Sequence, residues 1–150
     1  MLPHIASFFF LNIGGYFADY LTNKGVKLIK VRKLCNSIAF GGNGICLCLV
    51  PELESVAAII AIMCLGNVFG GFGAGGFIVN HADIGPRHTG RLMGITNMIA
   101  AIPGLIGAIL TGIILDVTNS WDMVFYVVAG ITFFGGIFYF LFASTDKQFD

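Results

Sequence analysis

The sequence predicts an all-α membrane protein with five transmembrane helices, and three observations carry that prediction. Apolar residues make up 57% of the 150-residue chain and charged residues only 11%, at a mean hydropathy of +0.89. A soluble domain carries about 25% charged and 45–50% apolar residues. The apolar residues are gathered into five stretches, each near the roughly 20 residues that a bilayer crossing needs. The charges between those stretches alternate in sign from one connection to the next. A soluble enzyme is excluded at this point. So is a nucleic-acid partner, because the chain has no basic face and no aromatic platform flanked by Lys or Arg.

The predicted spans are 2–20, 34–51, 56–79, 92–115 and 123–143, with a tail over 144–150. Backbone in lipid must pair internally, which leaves helices or closed barrels. Barrel strands alternate apolar and polar residues. These stretches are continuously apolar and rich in glycine, so they read as helices. The connections then assign the sides. Lys24, Lys27, Lys30, Arg32 and Lys33 fall in the first loop, Arg87 and Arg91 in the third, and Lys147 in the tail. Glu52 and Glu54 occupy the second loop, and Asp116 and Asp122 the fourth, with no Lys or Arg beside them. All eight basic residues therefore lie on one side, which the positive-inside rule makes cytoplasmic, together with the C-terminus. Five spans put Met1 on the opposite face. No basic segment or A-x-A cleavage site precedes the first span, so the expectation is that earlier helices are missing.

Within the spans, small residues at four-residue spacing let membrane helices approach closely. Gly66, Gly70 and Ala74 form one such row, with Gly71 and Gly75 beside it. Ala100, Gly104, Ala108 and Gly112 form another in the fourth span, where Pro103 is expected to kink the helix. The string Gly71-Phe72-Gly73-Ala74-Gly75-Gly76 lacks the preceding strand that a phosphate-cradling loop requires, and reads as part of an apolar helix. Cys35, Cys46, Cys48 and Cys64 all fall in apolar spans. They read as small buried residues rather than as a disulfide framework or a zinc site. The mid-span polar residues are amides and hydroxyls. Asn12 and Asn97 either line a polar path or hydrogen-bond between helices, an interaction that averages about 0.6 kcal/mol in membranes. Asp83, in the polar stretch 80–91, lies beside Arg87 and is expected to pair with it. No nucleophile–base set or ligand cluster lies within a span, so neither an enzyme, a metal nor a cofactor is expected.

Several strings resemble one family in order. Gly15-x-x-x-Asp19 followed by a basic loop looks like the Gly-x-x-x-Asp loop motif of the major facilitator superfamily. Leu2-Pro3-His4, Gly14-Gly15-x-x-Ala18-Asp19-x-Leu21 and Val31-Arg32-Lys33 are sharper. So are Gly76-Phe77-x-x-Asn80-His81-x-Asp83-Ile84-x-Pro86, Gly90-x-Leu92-Met93-Gly94-Ile95-x-Asn97, Trp121-x-x-Val124-Phe125 and Phe142-Ala143-Ser144-x-x-Lys147-Gln148. Together they are similar to the anion/cation symporter family, which includes sialin, vesicular glutamate transporters and sodium/phosphate cotransporter relatives. Gly85, His88 and Arg91 depart from the alanine, aromatic and apolar residues usual there.

The resemblance implies that the five spans are the last five of a twelve-helix major facilitator fold, a partial C-terminal half. It implies a fragment of a transporter that moves a small organic or inorganic anion (sialic acid, glutamate, phosphate or similar) by alternating access, coupled to H+ or Na+. The substrate arginine and proton-handling residues would lie mainly before Met1. Gly15, Asp19, Arg32, Asp83 and Arg87 would hold and release the cytoplasmic helix ends, or serve as static ion pairs and topology signals. The implied partners are the lipid bilayer, the missing N-terminal helices and the anion. A plasma, lysosomal or vesicular membrane fits equally. The alternative is a truncated membrane subunit or scaffold that does not transport and associates with other helices.

Overall fold

The computed structural model describes the backbone of residues 2–147 and the side chains of residues 8–147. The side chains of Leu2, Pro3 and His4, and all of Met1, Gln148 and the end of the tail, lie outside the described residues. Six α-helices follow one another: α1 (Leu2–Asn23), α2 (Leu28–Leu49), α3 (Val56–Gly71), α4 (Phe77–Ile84), α5 (Thr89–Thr118) and α6 (Trp121–Phe142). No strand occurs among the described residues.

Each boundary has a local cause. Gly25 ends α1: its φ of +84° is open to glycine without a side-chain penalty. Its N–H donates to the Thr22 carbonyl at 2.9 Å while Val26 N–H reaches back to Leu21 at 3.2 Å. This is the paired Schellman pattern that satisfies the last carbonyls of a helix. Pro51 stops α2 by converting its last turn to a 3-10 turn over Val50–Glu52. Asn119 ends α5 in a left-handed conformation, φ +50°. The Ser120 hydroxyl then accepts from Asp122 N–H at 3.2 Å and caps α6.

Among the described residues, four helical stretches are long and apolar enough to cross a membrane: Leu28–Glu52, Val56–Ile84, Pro86–Thr118 and Trp121–Phe142. α1, 22 residues long, covers the first predicted span, 2–20. The protein is a multi-pass integral membrane protein. Its exposed side chains agree, since Phe134, Phe138 and Phe142 stack along the outside of α6 and are all more than half exposed. Soluble monomers rarely carry large contiguous apolar patches. In lipid such a face costs nothing.

The structure corrects two boundaries. α2 begins at Leu28 rather than at residue 34, so Lys30, Arg32 and Lys33 belong to a helix and not to a loop. The third span is not one helix. α3 stops at Gly71, a 3-10 turn covers Phe72–Gly75, and α4 resumes at Phe77. Six residues containing four glycines have too little helix propensity to resist that change, and the turn is enclosed by α1 and α2. Irregular backbone at membrane depth is tolerated where protein buries it.

α2 is the centre of the bundle. It packs on α3 and the glycine turn on one flank and on α6 on the other, while α1 closes over α3 and the turn. A small core of Ala18, Val31 and Cys35 sits where α1 and α2 meet, with Phe17 and Leu21 against it. α5 runs unbroken through Pro103 for 30 residues, among the described residues touches only α4, α6 and the Pro86–His88 turn, and buries none of its side chains.

Candidate functional site

The glycine turn exposes backbone polar groups that an α-helix would have paired, and one basic side chain answers them. Arg32 lies one turn inside α2 and is 8% exposed. Its Nη1 donates to the Gly75 carbonyl at 3.0 Å. Its Nε and Nη2 donate to the two carboxylate oxygens of Asp83 on α4, at 2.7 and 3.2 Å. One guanidinium thus closes a fork on a carboxylate while capping the end of a helix. That geometry requires arginine, because lysine has no second parallel donor. The expected partner of Asp83 was Arg87. Arg87 is instead exposed on the 3-10 turn, and Arg32–Asp83 is the sole salt bridge among the described residues. The break after Gly71 decides this choice, since it re-aims α4 towards α2.

More buried polar groups belong to the same elements. Asn36 follows Arg32 by one turn and is 1% exposed, with no hydrogen-bond partner for either end of its amide among the described residues. Asn80 precedes Asp83 by one turn on α4, and its Oδ1 is likewise unpartnered. The Tyr139 hydroxyl on α6 is also unpaired and lies within electrostatic reach of Arg32, Asp83 and Cys35. The helices that carry the ion pair thus each bury a further polar side chain one turn from it, and α6 brings Tyr139 within electrostatic reach of it. Sequence reasoning missed Asn36, Asn80 and Tyr139. The spacing Arg32–Asn36 and Asn80–Asp83 does put each pair on one helix face.

Close approach of α1 makes the region possible. A Cβ on Gly75 would lie 2.7 Å from Ala18 Cβ and from the Gly14 carbonyl oxygen, and 3.2 Å from Cys35 Sγ. A Cβ on Gly71 would meet the Phe10 backbone at 2.6 Å, and one on Gly76 the Asn36 backbone nitrogen at 3.0 Å. Gly14 is equally tight against Gly71 and Phe72. Its neighbour Gly15, the motif residue, has nothing within 4 Å.

The other predicted rows fare unevenly. Gly66 sits against Asn43 Oδ1, 2.8 Å from where its Cβ would be. Gly70, Gly104 and Gly112 have open space, and Ala108 is exposed, so this chain offers no contact to the α5 row. Asp19 is exposed at the end of α1, without a salt bridge among the described residues. Asn12 is exposed and donates to the Phe8 carbonyl of its own helix at 2.9 Å, which is neither an interhelical bond nor a path contact within this chain. Asn97 is exposed on α5.

Comparison with known proteins agrees with this architecture. The model of the Major Facilitator Superfamily matches residues 2–148. A probable chloroplastic anion transporter 6 of Arabidopsis thaliana is 37% identical over 99% of this chain and 29% of its own length. A chloroplastic ascorbate transporter of the same plant is 35% identical over 100% of the chain and 28% of its own. A vesicular glutamate transporter 2.2 of Danio rerio is 35% identical over 98% and 26%. The chain spans between about a quarter and two fifths of the length of the curated relatives it matches.

Proposed function

Since the chain belongs to the Major Facilitator Superfamily, we propose that it forms the last five spans of a transporter for a small organic or inorganic anion. The observation that carries this reading is the end-to-end similarity to anion transporters. The protein works by alternating access, in which two helix bundles rock around a central site. Transport is coupled to H+ or Na+. Every acidic residue among the described ones lies near the end of a predicted span or in a loop, so a coupling carboxylate at mid-membrane comes from outside these helices. The basic side and the C-terminus face the cytoplasm.

In this reading the Arg32–Asp83 fork is a cytoplasmic latch. Closed, it ties α2 to α4 and caps the broken span. When the helices rock, Asn36, Asn80 and Tyr139 offer replacement partners, which lowers the cost of parting two charges in a poorly hydrated place. The open row Ala100, Gly104, Ala108 and Gly112 on α5 faces the helices that complete the transporter.

The test is uptake by proteoliposomes holding the complete natural polypeptide, with labelled ascorbate, glutamate and phosphate offered separately. Saturable uptake of at least one above empty liposomes supports the reading. No uptake of any anion by correctly folded protein defeats it and favours the non-transporting subunit. Asp19, exposed and without a salt bridge among the described residues, is expected to engage in another state. Asp19→Asn should therefore cut uptake while leaving membrane abundance near normal. A parallel fall in both would make Asp19 a folding residue instead.

A further inference from the structure

A second feature lies on the side of α2 that packs against α6. Between α2 and α6 runs a groove of about 230 Å³, lined by Ser37, Phe40, Gly41, Phe133, Gly136 and Phe140 among others, with no charged side chain in its wall. Its form follows from side-chain size. Phe40 fills the space over Gly135 and Gly136, where a Cβ would come within 3.2 and 2.9 Å of it. Phe133 covers Gly44 in the same way. Gly41 has nothing within 4 Å and leaves the slot open between them.

A cation stands beside the slot, against one of its lining rings. Lys33, Ser37, Phe40 and Gly41 follow one another at i, i+4, i+7 and i+8, which is one face of α2. Lys33 is half-buried, and its Nζ lies 5.5 Å from the centre of the Phe140 ring, which also lines the groove. Lys30, one turn nearer the end of α2, is exposed. No acidic residue lines the groove to pair with either. All of this lies towards the basic end of the bundle. An apolar slot beside a basic side chain matches a molecule that joins an apolar chain to an anionic head.

We infer that this groove binds one anionic phospholipid, its acyl chain between Phe40, Phe133 and Phe140 and its phosphate on Lys33. Juxtamembrane lysines attract anionic headgroups, and the aromatic wall takes the chain. The Phe140 ring joins the slot to Lys33. The site does not depend on whether the protein transports an anion.

The test uses the complete polypeptide equilibrated with vesicles of equal phosphatidylglycerol and phosphatidylcholine, then extracted gently, with retained lipid counted by native mass spectrometry. Phosphatidylglycerol should exceed phosphatidylcholine about five-fold, the ratio one surface lysine's attraction to anionic lipid provides. Lys33→Gln should bring the ratio close to one. Lys24→Gln, at the same basic end but stacked on Tyr20 away from the groove, should leave it unchanged. Gly41→Leu should fill the slot and lower retention of both lipids without lowering the melting temperature, because the new side chain meets open space. Equal retention of the two lipids by the unaltered protein overturns the inference. So does equal sensitivity to Lys24→Gln, or a Gly41→Leu protein that keeps its lipid. A Gly41→Leu protein that unfolds as readily as Gly44→Leu overturns it as well, by showing that protein rather than lipid occupies the slot.

Discussion

Arg32→Ala should cost the protein about 3–5 kcal/mol of stability, the usual consequence of removing one partner from a buried ion pair. Three bonds vanish together: two to Asp83 and one to the Gly75 carbonyl. The larger loss is what remains. Asp83, with its side chain only 13% exposed, keeps a charge with no counter-charge, and the Gly75 carbonyl keeps a lone pair with no donor. Both are penalties of desolvation, which exceed the net worth of the bonds themselves. Arg32→Lys should recover part of the loss and no more, since an ammonium cannot hold both carboxylate oxygens and the carbonyl in one plane. The double variant Arg32→Met, Asp83→Leu removes both charges and should be markedly more stable than Arg32→Ala alone. The readout is the melting temperature and the monodisperse fraction in detergent for all three proteins. A double variant no better than Arg32→Ala would mean that the carbonyl cap, not the charge pair, carries the stability. A fully stable Arg32→Ala would mean that neither does.

Gly71→Leu and Gly75→Leu should detach α1 from the bundle. Overfilling a packed interior usually costs about 1–3 kcal/mol because neighbouring side chains can shift. Here the obstacles include backbone: the Phe10 carbonyl group against Gly71, and the Gly14 carbonyl oxygen against Gly75. Backbone yields only by moving a whole helix, so the effect should lie at or beyond the upper end of that range. A disulfide engineered between α1 and α3 should form readily in the unaltered protein and poorly in either variant. Gly70→Leu is the control, since no atom lies within 4 Å of its Cβ position. Equal cross-linking in all four proteins would refute the close approach.

The membrane-spanning character was visible in the sequence because hydropathy is a sum over neighbours along the chain. So was the end of the second span at Pro51, where one residue's backbone preference suffices, whereas the first span was ended at residue 20, before the stop that Gly25 makes. The candidate site was visible only in part. Arg32 and Asp83 stood out as charges beside apolar helices, yet the partner assigned to Asp83 was its sequence neighbour Arg87. The true partner is 51 residues away. Among the glycines, spacing singled out rows on α3 and α5 alike. It could not say that Gly71 touches Phe10 while Gly104 touches nothing.

The order of elements, the membrane-spanning character and the division of charge between the two sides thus follow from local composition, since a bilayer selects each helix by its own apolarity. Three features came from packing: the break after Gly71, the capture of Gly75 and Asp83 by one guanidinium, and the slot left open by Gly41. Each depends on the rotation and depth of one helix against another. Turning a helix by a single residue moves a side chain by about 100°, which is enough to take Arg32 out of reach of Asp83 without altering the hydropathy of either span.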